Sequence, residues 1–368
     1  MAGTEEHSEQ VEQAELAEQT SRGGVGTRAE LDRDRATGAL LGLAVGDALG
    51  TTLEFQRLPA APFAPLLAGP HRSVTGGGPF RVAPGQVTDD TQMATALAGS
   101  LIEHGGFDAD AVASRYVAWA RHAFDIGNQT SQALSQLGAG GRPGAVGRQV
   151  WIASGRSAAG NGSLMRTAPI AVFFAHDDAR RVEVSRLESA LTHYDPRCQL
   201  ACAAFNGAIA AALSGHSDVP AMLAAAHTDL TLAHAKRSAD DPRDAVEFEL
   251  ALTAVREDLA AAEADDPDLY GSTVHLGKMA GFVRVAFRLA FWHLVHTPSY
   301  EDALVDTVNR GGDADTNGAI VGALLGAHLG ASAIPEAWRT TVQDALAGQS
   351  GPWATTYHPR TLLALVPG

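Results

Sequence analysis

Two short clusters of acidic and hydroxyl side chains stand far apart in this chain of 368 residues. They read Thr88-Asp89-Asp90-Thr91 and Asp313-Ala314-Asp315-Thr316. Carboxylate and hydroxyl oxygens are the ligands that Mg²⁺, Mn²⁺ and Ca²⁺ prefer in proteins. A lone Asp-Thr pair usually caps a helix, but each cluster contains more acids than a cap can use. If the fold brings the two clusters together, they can form a site for two metal ions.

Glycines recur at every fourth residue beside both clusters, and this spacing is our reason to expect the clusters to meet. The first set is Gly38, Gly42, Gly46 and Gly50, and the second is Gly318, Gly322, Gly326 and Gly330. Residues four apart lie on one face of a helix. Because a glycine inside a helix costs about 1 kcal/mol relative to alanine, four per helix indicate close backbone contact with a neighbouring helix.

Composition restricts the class of protein and of partner. The chain is 45% hydrophobic and carries a formal net charge of −15 at pH 7. So acidic a chain does not suit nucleic acid as its main partner. No segment has the ~20 uninterrupted apolar residues of a membrane span, and the first residues do not resemble a secretory signal. The two cysteines, Cys198 and Cys202, are four residues apart in a helical segment, where a mutual disulfide is disfavoured. We therefore expect a cytoplasmic protein with no membrane partner.

The hydrophobic pattern predicts an all-α fold in a single domain. Apolar residues recur with the period of a helix, and the alternation typical of strands is almost absent. Helices are predicted near 35–50, 89–104, 108–123, 128–138, 161–175, 181–193, 195–214, 217–227, 243–262, 273–295, 299–308 and 316–330. Residues 1–30 are rich in glutamate, and we expect them to form a disordered acidic tail before a domain at 31–368.

Six sequence blocks, in this order, resemble the ADP-ribosylglycohydrolase family. They read GALLGLAVGDALGTTLEF, VTGGGPFRVAPGQVTDDTQM, FDIGNQT, GNGSLMRTAPI, THYDP and NRGGDADTNGAIVGALLG, within residues 36–345. The resemblance is closest to the dinitrogenase reductase-activating glycohydrolase branch, which is similar to ADP-ribosylarginine hydrolases. It implies an orthogonal helical bundle with a binuclear Mg²⁺ or Mn²⁺ site at its centre. It also implies hydrolysis of the bond between ADP-ribose and a modified side chain.

The resemblance assigns the metal ligands to the two acidic clusters. The positions that match the family's ligands are Thr88, Asp89, Asp90, Asp313, Asp315 and Thr316. All six residues have oxygen ligands, so the chemistry agrees with the assignment. Two cations in such a site would lie about 3.5–4 Å apart.

Two further carboxylates match catalytic positions of the family. Asp125, in the block FDIGN, matches the acid/base carboxylate proposed for this branch. Glu54, just after the first glycine segment, matches a glutamate that another branch uses as a gate linked to the metal. We expect Asp125 to be the base and Glu54 to be a supporting or gating acid, although the sequence leaves the choice between them open.

Glycine runs and a few polar residues are the expected substrate contacts. The backbone N–H groups of the glycine runs can approach a pyrophosphate closely. The candidates are Gly76, Gly77, Gly78, Asn128, Asn161, Gly162, Ser163, His193 and Phe282. Where the branch has a tyrosine followed by Val-Asp-Thr, this chain has Phe282 followed by Val283 and Arg284. We interpret Arg284 as a surface residue. The lost hydroxyl leaves the identity of the modified side chain open.

These observations favour a metal-dependent hydrolase that removes ADP-ribose from arginine on a modified protein, with free ADP-ribose as a product. Two alternatives stay open. One is a hydrolase for ADP-ribose attached to serine, a nucleobase or a metabolite. The other is a protein that binds ADP-ribose without turnover, as an immunity-type protein would.

Overall fold

Helices make up the regular structure of the computed structural model, which describes residues 31–56, 71–236 and 241–367. The predicted tail at 1–30 lies outside these ranges. Two 3₁₀ turns (Thr51–Leu53 and Ala331–Ala333) and isolated bridges accompany the helices, and the described ranges contain no strand. The helices are α1 (Arg33–Gly50), α2 (Asp89–His104), α3 (Ala109–Ala120), α4 (Asn128–Gly138), α5 (Pro143–Ala153), α6 (Ala168–Phe173), α7 (Asp178–Ala190), α8 (Pro196–Leu213), α9 (Val219–Ala235), α10 (Pro242–Ala262), α11 (Val283–His296), α12 (Tyr300–Asn309), α13 (Ala314–Leu329), α14 (Glu336–Gln343) and α15 (Pro359–Leu363). The prediction of an all-α fold is confirmed.

Some predicted helix boundaries are wrong, mainly where glycine or proline governs the backbone. The helix predicted at 161–175 is only α6, and the one at 273–295 begins ten residues later, as α11. Gly281 has a positive φ of 79° just before α11, which a continuing helix would not allow. The short helices α5, α14 and α15 were not predicted. Of these, α5 starts with a proline in its first turn, where proline favours a helix instead of breaking it.

The two glycine segments form antiparallel helices, α1 and α13, whose backbones touch. A Cβ atom on Gly46 would lie 1.9 Å from the carbonyl oxygen of Gly318. A Cβ on Gly38 would lie 2.1 Å from the oxygen of Gly326, at the other end of the contact. Both distances are far below van der Waals contact, so only glycine fits. The predicted close contact is present, and it places the end of α1 beside the start of α13.

The apolar character of α1 reflects this central position. By length and composition, the segment Arg33–Leu53 is apolar enough to cross a membrane. However, 83% of its apolar window is buried inside the protein, as in the core helix of a folded domain. Glycine, alanine and leucine fill α1 because it is covered by other helices on nearly all sides.

Candidate active site

The fold brings the two acidic clusters together at the N-terminal ends of α2 and α13. Asp89 lies in the first turn of α2, and Asp315 lies in the first turn of α13. Both line a cavity of about 490 Å³. Its wall contains ten of the predicted site residues: Glu54, Asp89, Asp125, Asn128, Asn161, Gly162, His193, Asp313, Asp315 and Thr316. Most of the predicted site therefore surrounds one cavity.

The first cluster is held by an aspartate that the sequence analysis missed, Asp47. Thr88 is the N-cap residue of α2, but its side chain does not cap the helix. Its hydroxyl and its backbone N–H donate instead to the Asp47 carboxylate, at 2.7 and 3.0 Å. The hydroxyl and N–H of Thr91 donate to the second Asp47 oxygen, at 2.6 and 3.1 Å. Asp47 thus fixes the first cluster to α1. It is the one charged residue in the segment GALLGLAVGDALG, which is the signal that could have revealed it.

The second cluster is oriented in a similar way. Asp313 is the N-cap residue of α13, yet its side chain makes no capping bond. Its Oδ2 accepts a hydrogen bond from the side-chain amide of Asn161, at 2.8 Å. Helix capping therefore does not account for Thr88 or Asp313, and both acidic clusters face the same cavity.

Three carboxylates converge in this cavity. Oxygen atoms of Glu54, Asp125 and Asp315 lie within 4.8 Å of one another. One buried oxygen of Glu54, one of Asp90 and one of Asp315 have no hydrogen-bond donor. The neighbouring charges with the largest effects on Glu54 and Asp315 are all acidic. Buried carboxylates without donors or positive neighbours fit a site that binds divalent cations through oxygen.

Burial and crowding raise the pKa values of these acids. Burial is the main reason why the pKa of Glu54 rises to about 8, and neighbouring acids add to the rise. The pKa of Asp125 rises to about 7, first because of burial and then because of the charges of Asp47 and Asp313. Burial is also the first cause of a pKa well above the ordinary value at Asp315. Without positive charge nearby, the site holds protons near neutral pH.

A glycine loop and a histidine form another part of the cavity wall. Cβ atoms on Gly160 and Gly162 would lie 3.2 and 2.9 Å from His193 Nε2, so the loop contacts the imidazole directly. Ser163 is not part of the wall, because it turns inward and its hydroxyl accepts a hydrogen bond from Ser189 at 2.9 Å.

A chain of hydrogen bonds fixes the tautomer of His193. The buried Arg166 donates from Nη2 to the hydroxyl oxygen of Thr192 at 2.9 Å, and that oxygen lies 2.8 Å from His193 Nδ1. A guanidinium only donates, and within the described residues Nδ1 is the one acceptor beside the Thr192 hydroxyl, so we assign the threonine proton to the bond with Nδ1 and the ring proton to Nε2. Burial, and then the charge of Arg166, hold the pKa of His193 well below its ordinary value. The ring is therefore neutral, with Nε2–H as a donor.

Arg166 belongs to a buried ion pair that also supports the glycine loop. Its Nε donates to Glu188 at 2.7 Å, and its Nη1 donates to the carbonyl of Gly162 at 3.0 Å. The hydroxyl of Tyr116 donates to the same oxygen of Glu188, at 2.7 Å. One buried network therefore positions both the loop and His193. Sequence reasoning missed it because its members are distant in sequence.

The glycine run at 76–78 lies outside the cavity wall. All three glycines have positive φ, at 68°, 89° and 64°. A Cβ on Gly78 would lie 2.1 Å from the carbonyl of Thr51, in the turn after α1. Tight packing against this turn accounts for glycine at position 78. The predicted phosphate contact at these residues stays a prediction.

Phe282 lines a neighbouring cavity of about 780 Å³. The two cavities share wall residues, among them Gly160, which forms a β-bridge with Phe282. The guanidinium of Arg197 lies 5.4 Å from the centre of the Phe282 ring. The interpretation of Arg284 as a surface residue is wrong, because its Nε donates to the buried carboxylate of Asp258 at 2.7 Å.

Comparisons with known proteins identify the family and the fold. Residues 28–364 match the family model described as ADP-ribosylglycohydrolase. The chain is 32% identical over 321 residues to ADP-ribosylarginine hydrolase Tri1 of Pseudomonas putida, covering 83% of this chain and 73% of that protein. It is 30% identical over 306 residues to ADP-ribosyl-dinitrogen reductase glycohydrolase of Rhodospirillum rubrum, covering 83% and 89%. A solved ADP-ribosylglycohydrolase-related protein complex has a TM-score of 0.66 and 29% identity, covering 91% and 97%.

Proposed function

Because the chain belongs to the ADP-ribosylglycohydrolase family, which hydrolyses ADP-ribose linkages, we infer that it removes ADP-ribose from arginine side chains of modified proteins with the aid of two divalent cations. The Pseudomonas relative, named for ADP-ribosylarginine, supports the arginine linkage. The Rhodospirillum relative, named for ADP-ribosylated dinitrogen reductase, supports a protein as the target. Mg²⁺ and Mn²⁺ are the proposed metals because all the ligand atoms are oxygen.

One observation carries the proposal. The oxygens of Glu54, Asp125 and Asp315 lie within 4.8 Å of one another, and two of these acids have a buried oxygen without a donor. Folding such a group without positive charge is costly. The residues that would hold the cations are Thr88, Asp89, Asp90, Asp313, Asp315 and Thr316. When bound, two divalent cations supply positive charge that can hold ribose hydroxyls and offset the crowded carboxylates.

Asp125 is the proposed general base. It lies in the cavity wall and is not one of the proposed metal ligands, so its carboxylate is left to accept a proton. Its carboxylate takes a proton from a water molecule as the water oxygen forms a bond with the anomeric carbon of the ribose. The bond from that carbon to the arginine nitrogen breaks, and the proton passes to the leaving nitrogen. Free ADP-ribose and unmodified arginine are the products.

His193 is the proposed contact for the pyrophosphate. Its Nε2 lies beside the glycine loop in the cavity wall, where the N–H groups of Gly160 and Asn161 already donate to Gln129 and Gly281. A neutral donor is suitable here because the ring keeps its proton at Nε2 at any pH above its lowered pKa. Asn128, at the start of α4 and in the cavity wall, is the proposed partner of the distal ribose.

The test is release of free ADP-ribose from peptides modified at arginine or at serine, and from a modified nucleobase. Each substrate is incubated with Mg²⁺, with Mn²⁺ and with a chelator. We expect metal-dependent release from the arginine peptide, with much slower release from the other substrates. Release from a different substrate would replace arginine as the target. Tight metal-dependent binding of ADP-ribose without any release would favour a binding protein.

Metal ions should stabilise the protein more strongly as the pH rises. Glu54 and Asp125 have pKa values raised to about 8 and about 7, so the metal-free folded state keeps protons that the unfolded state loses near pH 4. The contribution of these two groups to the free energy of unfolding of the metal-free protein is therefore fully present below pH 4. It is lost as the pH rises to about 8. Bound cations remove that loss. We expect the increase in Tm produced by Mn²⁺, relative to chelator, to be larger at pH 8 than at pH 5.5.

Differential scanning fluorimetry across this pH range measures the effect. Asp315→Asn provides the control, because it removes one proposed ligand without changing the size of the side chain. Its Tm should respond little to Mn²⁺ at either pH. An equal Mn²⁺ effect at both pH values in the wild-type protein would contradict the prediction.

Replacing Thr192 by valine should weaken binding of ADP-ribose by about 2- to 10-fold, the usual effect of one lost hydrogen bond. Valine has the shape of threonine but has no hydroxyl to accept from Arg166 and donate to Nδ1, so His193 is free to change tautomer. Calorimetry gives the affinity, and ¹⁵N chemical shifts of the imidazole give the tautomer. Thr192→Ser should restore both. A valine variant that binds weakly with an unchanged imidazole spectrum would show that Thr192 acts by packing alone.

A further inference from the structure

Four aromatic rings form a continuous strip beside the site. The ring centres of Phe55 and Phe80 are 6.3 Å apart, and those of Phe80 and Phe124 are 5.8 Å apart. The ring of Trp353 continues the row at 5.5 Å from Phe124. We call these four residues the aromatic strip. Phe55 and Phe124 are among the few large apolar side chains that are exposed in the described part of the chain, at 63% and 36%.

The aromatic strip is attached to the two carboxylates that are proposed to act in catalysis. Phe55 directly follows Glu54, and Phe124 directly precedes Asp125. Oxygens of these two acids lie within 4.8 Å of each other, and Phe55 itself lines the site cavity. A group that leaves the anomeric carbon beside these acids therefore departs next to the strip.

Phe55 has an unusual backbone conformation as well as an exposed ring. Its φ is 60°, in the left-handed region that a bulky residue rarely adopts. Two hydrogen bonds hold it there: Phe55 N–H donates to the carbonyl of Gly312 at 2.7 Å, and Gly312 N–H donates to that of Gln56 at 3.0 Å. Neither burial nor backbone preference explains a phenylalanine at this position. Strained, exposed residues beside a site usually serve the site.

We propose that the aromatic strip binds the guanidinium group of the modified arginine, and so selects an arginine linkage over a neutral one. The inference rests on the proposed function and deepens it. A guanidinium is attracted to the faces of aromatic rings, and the adjacent carboxylates favour a positive group. A serine linkage brings no positive charge to the strip. The net charge of −15 also favours a cationic peptide as the partner.

The experiment measures binding in an Asp125→Asn background, so that the result does not depend on turnover. The ligands are an arginine-linked ADP-ribosyl peptide, a serine-linked peptide of matching sequence, and free ADP-ribose. The strip is changed by Phe55→Leu, which keeps an apolar side chain and the same backbone strain, and by Phe55→Trp, which keeps an aromatic face. Phe124→Leu is a second, independent variant. Tm values show whether each variant is folded.

We expect Phe55→Leu to weaken binding of the arginine-linked peptide by about tenfold, within the range of a cation–π contact. Phe55→Trp should retain the affinity, and binding of free ADP-ribose should change less than twofold. Equal losses for the arginine- and serine-linked peptides, or no loss with leucine, would overturn the proposal. Turnover of the wild-type protein is measured separately. If the arginine peptide binds through the strip but is not hydrolysed, the proposed function fails while the inference about the strip stands.

Discussion

Replacement of Asp125 by asparagine is expected to lower kcat by about 10²–10⁴-fold, the usual contribution of a general base. Asparagine has nearly the same shape but cannot accept the proton from water. Asp125 is not one of the proposed metal ligands, so Mn²⁺ and ADP-ribose should still bind. The measurements are the initial rate of ADP-ribose release from the arginine-linked peptide and calorimetric affinities for the metal and the product.

Glu54→Gln is the matched comparison. The carboxylate of Glu54 lies within 4.8 Å of that of Asp125, but Glu54 is the proposed supporting acid and not the base. We expect its loss to lower the rate less than the loss of Asp125. If Glu54→Gln abolished turnover while Asp125→Asn stayed within tenfold of the wild type, the two carboxylates would exchange roles.

Replacement of Gly46 by alanine should destabilise the protein by about 3 kcal/mol or more, at the upper end of overpacking effects. The added methyl group would lie 1.9 Å from the carbonyl oxygen of Gly318, and the obstacle is backbone, which cannot rotate away as a side chain can. The helices α1 and α13 must separate, and the site at their ends must open. Urea unfolding measures the loss of stability, and the Mn²⁺ effect on Tm reports the site.

Gly144→Ala supplies the control for the same substitution. Gly144 also lies in a helix, α5, but a Cβ there meets no other atom within 4 Å. Alanine favours a helix over glycine, so this variant should be unchanged or more stable by up to about 1 kcal/mol. If both variants lost similar stability, helix contact would not be the reason for glycine at position 46.

The fold was largely predictable because its main signals are local in sequence. The four-residue glycine spacing predicted the close contact of α1, and helical periodicity predicted α2 and α4 to within a residue. The prediction at 161–175 was wrong because residues from Gly160 onward are held by bonds to distant segments: the N–H of Asn161 donates to the carbonyl of Gly281 at 2.9 Å. Periodicity does not record such bonds.

The candidate site, too, was predictable only where its signals are local in sequence. The acidic clusters could be found because several ligand-type residues stand together in sequence. Arg166 could not, since it acts on residues elsewhere in the chain, and Asp47 was marked only as the one charged residue of an apolar segment. The tautomer of His193 depends on Arg166, which acts through Thr192 from 26 residues away in the sequence, so only the folded structure reveals it.

The glycine contact between α1 and α13 also sets a rule for how this protein can change in length. One extra residue inside either helix would rotate everything beyond it by about 100° and move it by about 1.5 Å. Such an insertion would take every later glycine out of the contact, and one placed in α1 before Asp47 would also turn Asp47 away from Thr88 and Thr91. We therefore expect insertions and deletions among related chains to collect in the loops. The segments 38–50 and 314–330 should keep a constant length, because their contact, together with Asp47, holds the two acidic clusters in a fixed position relative to each other.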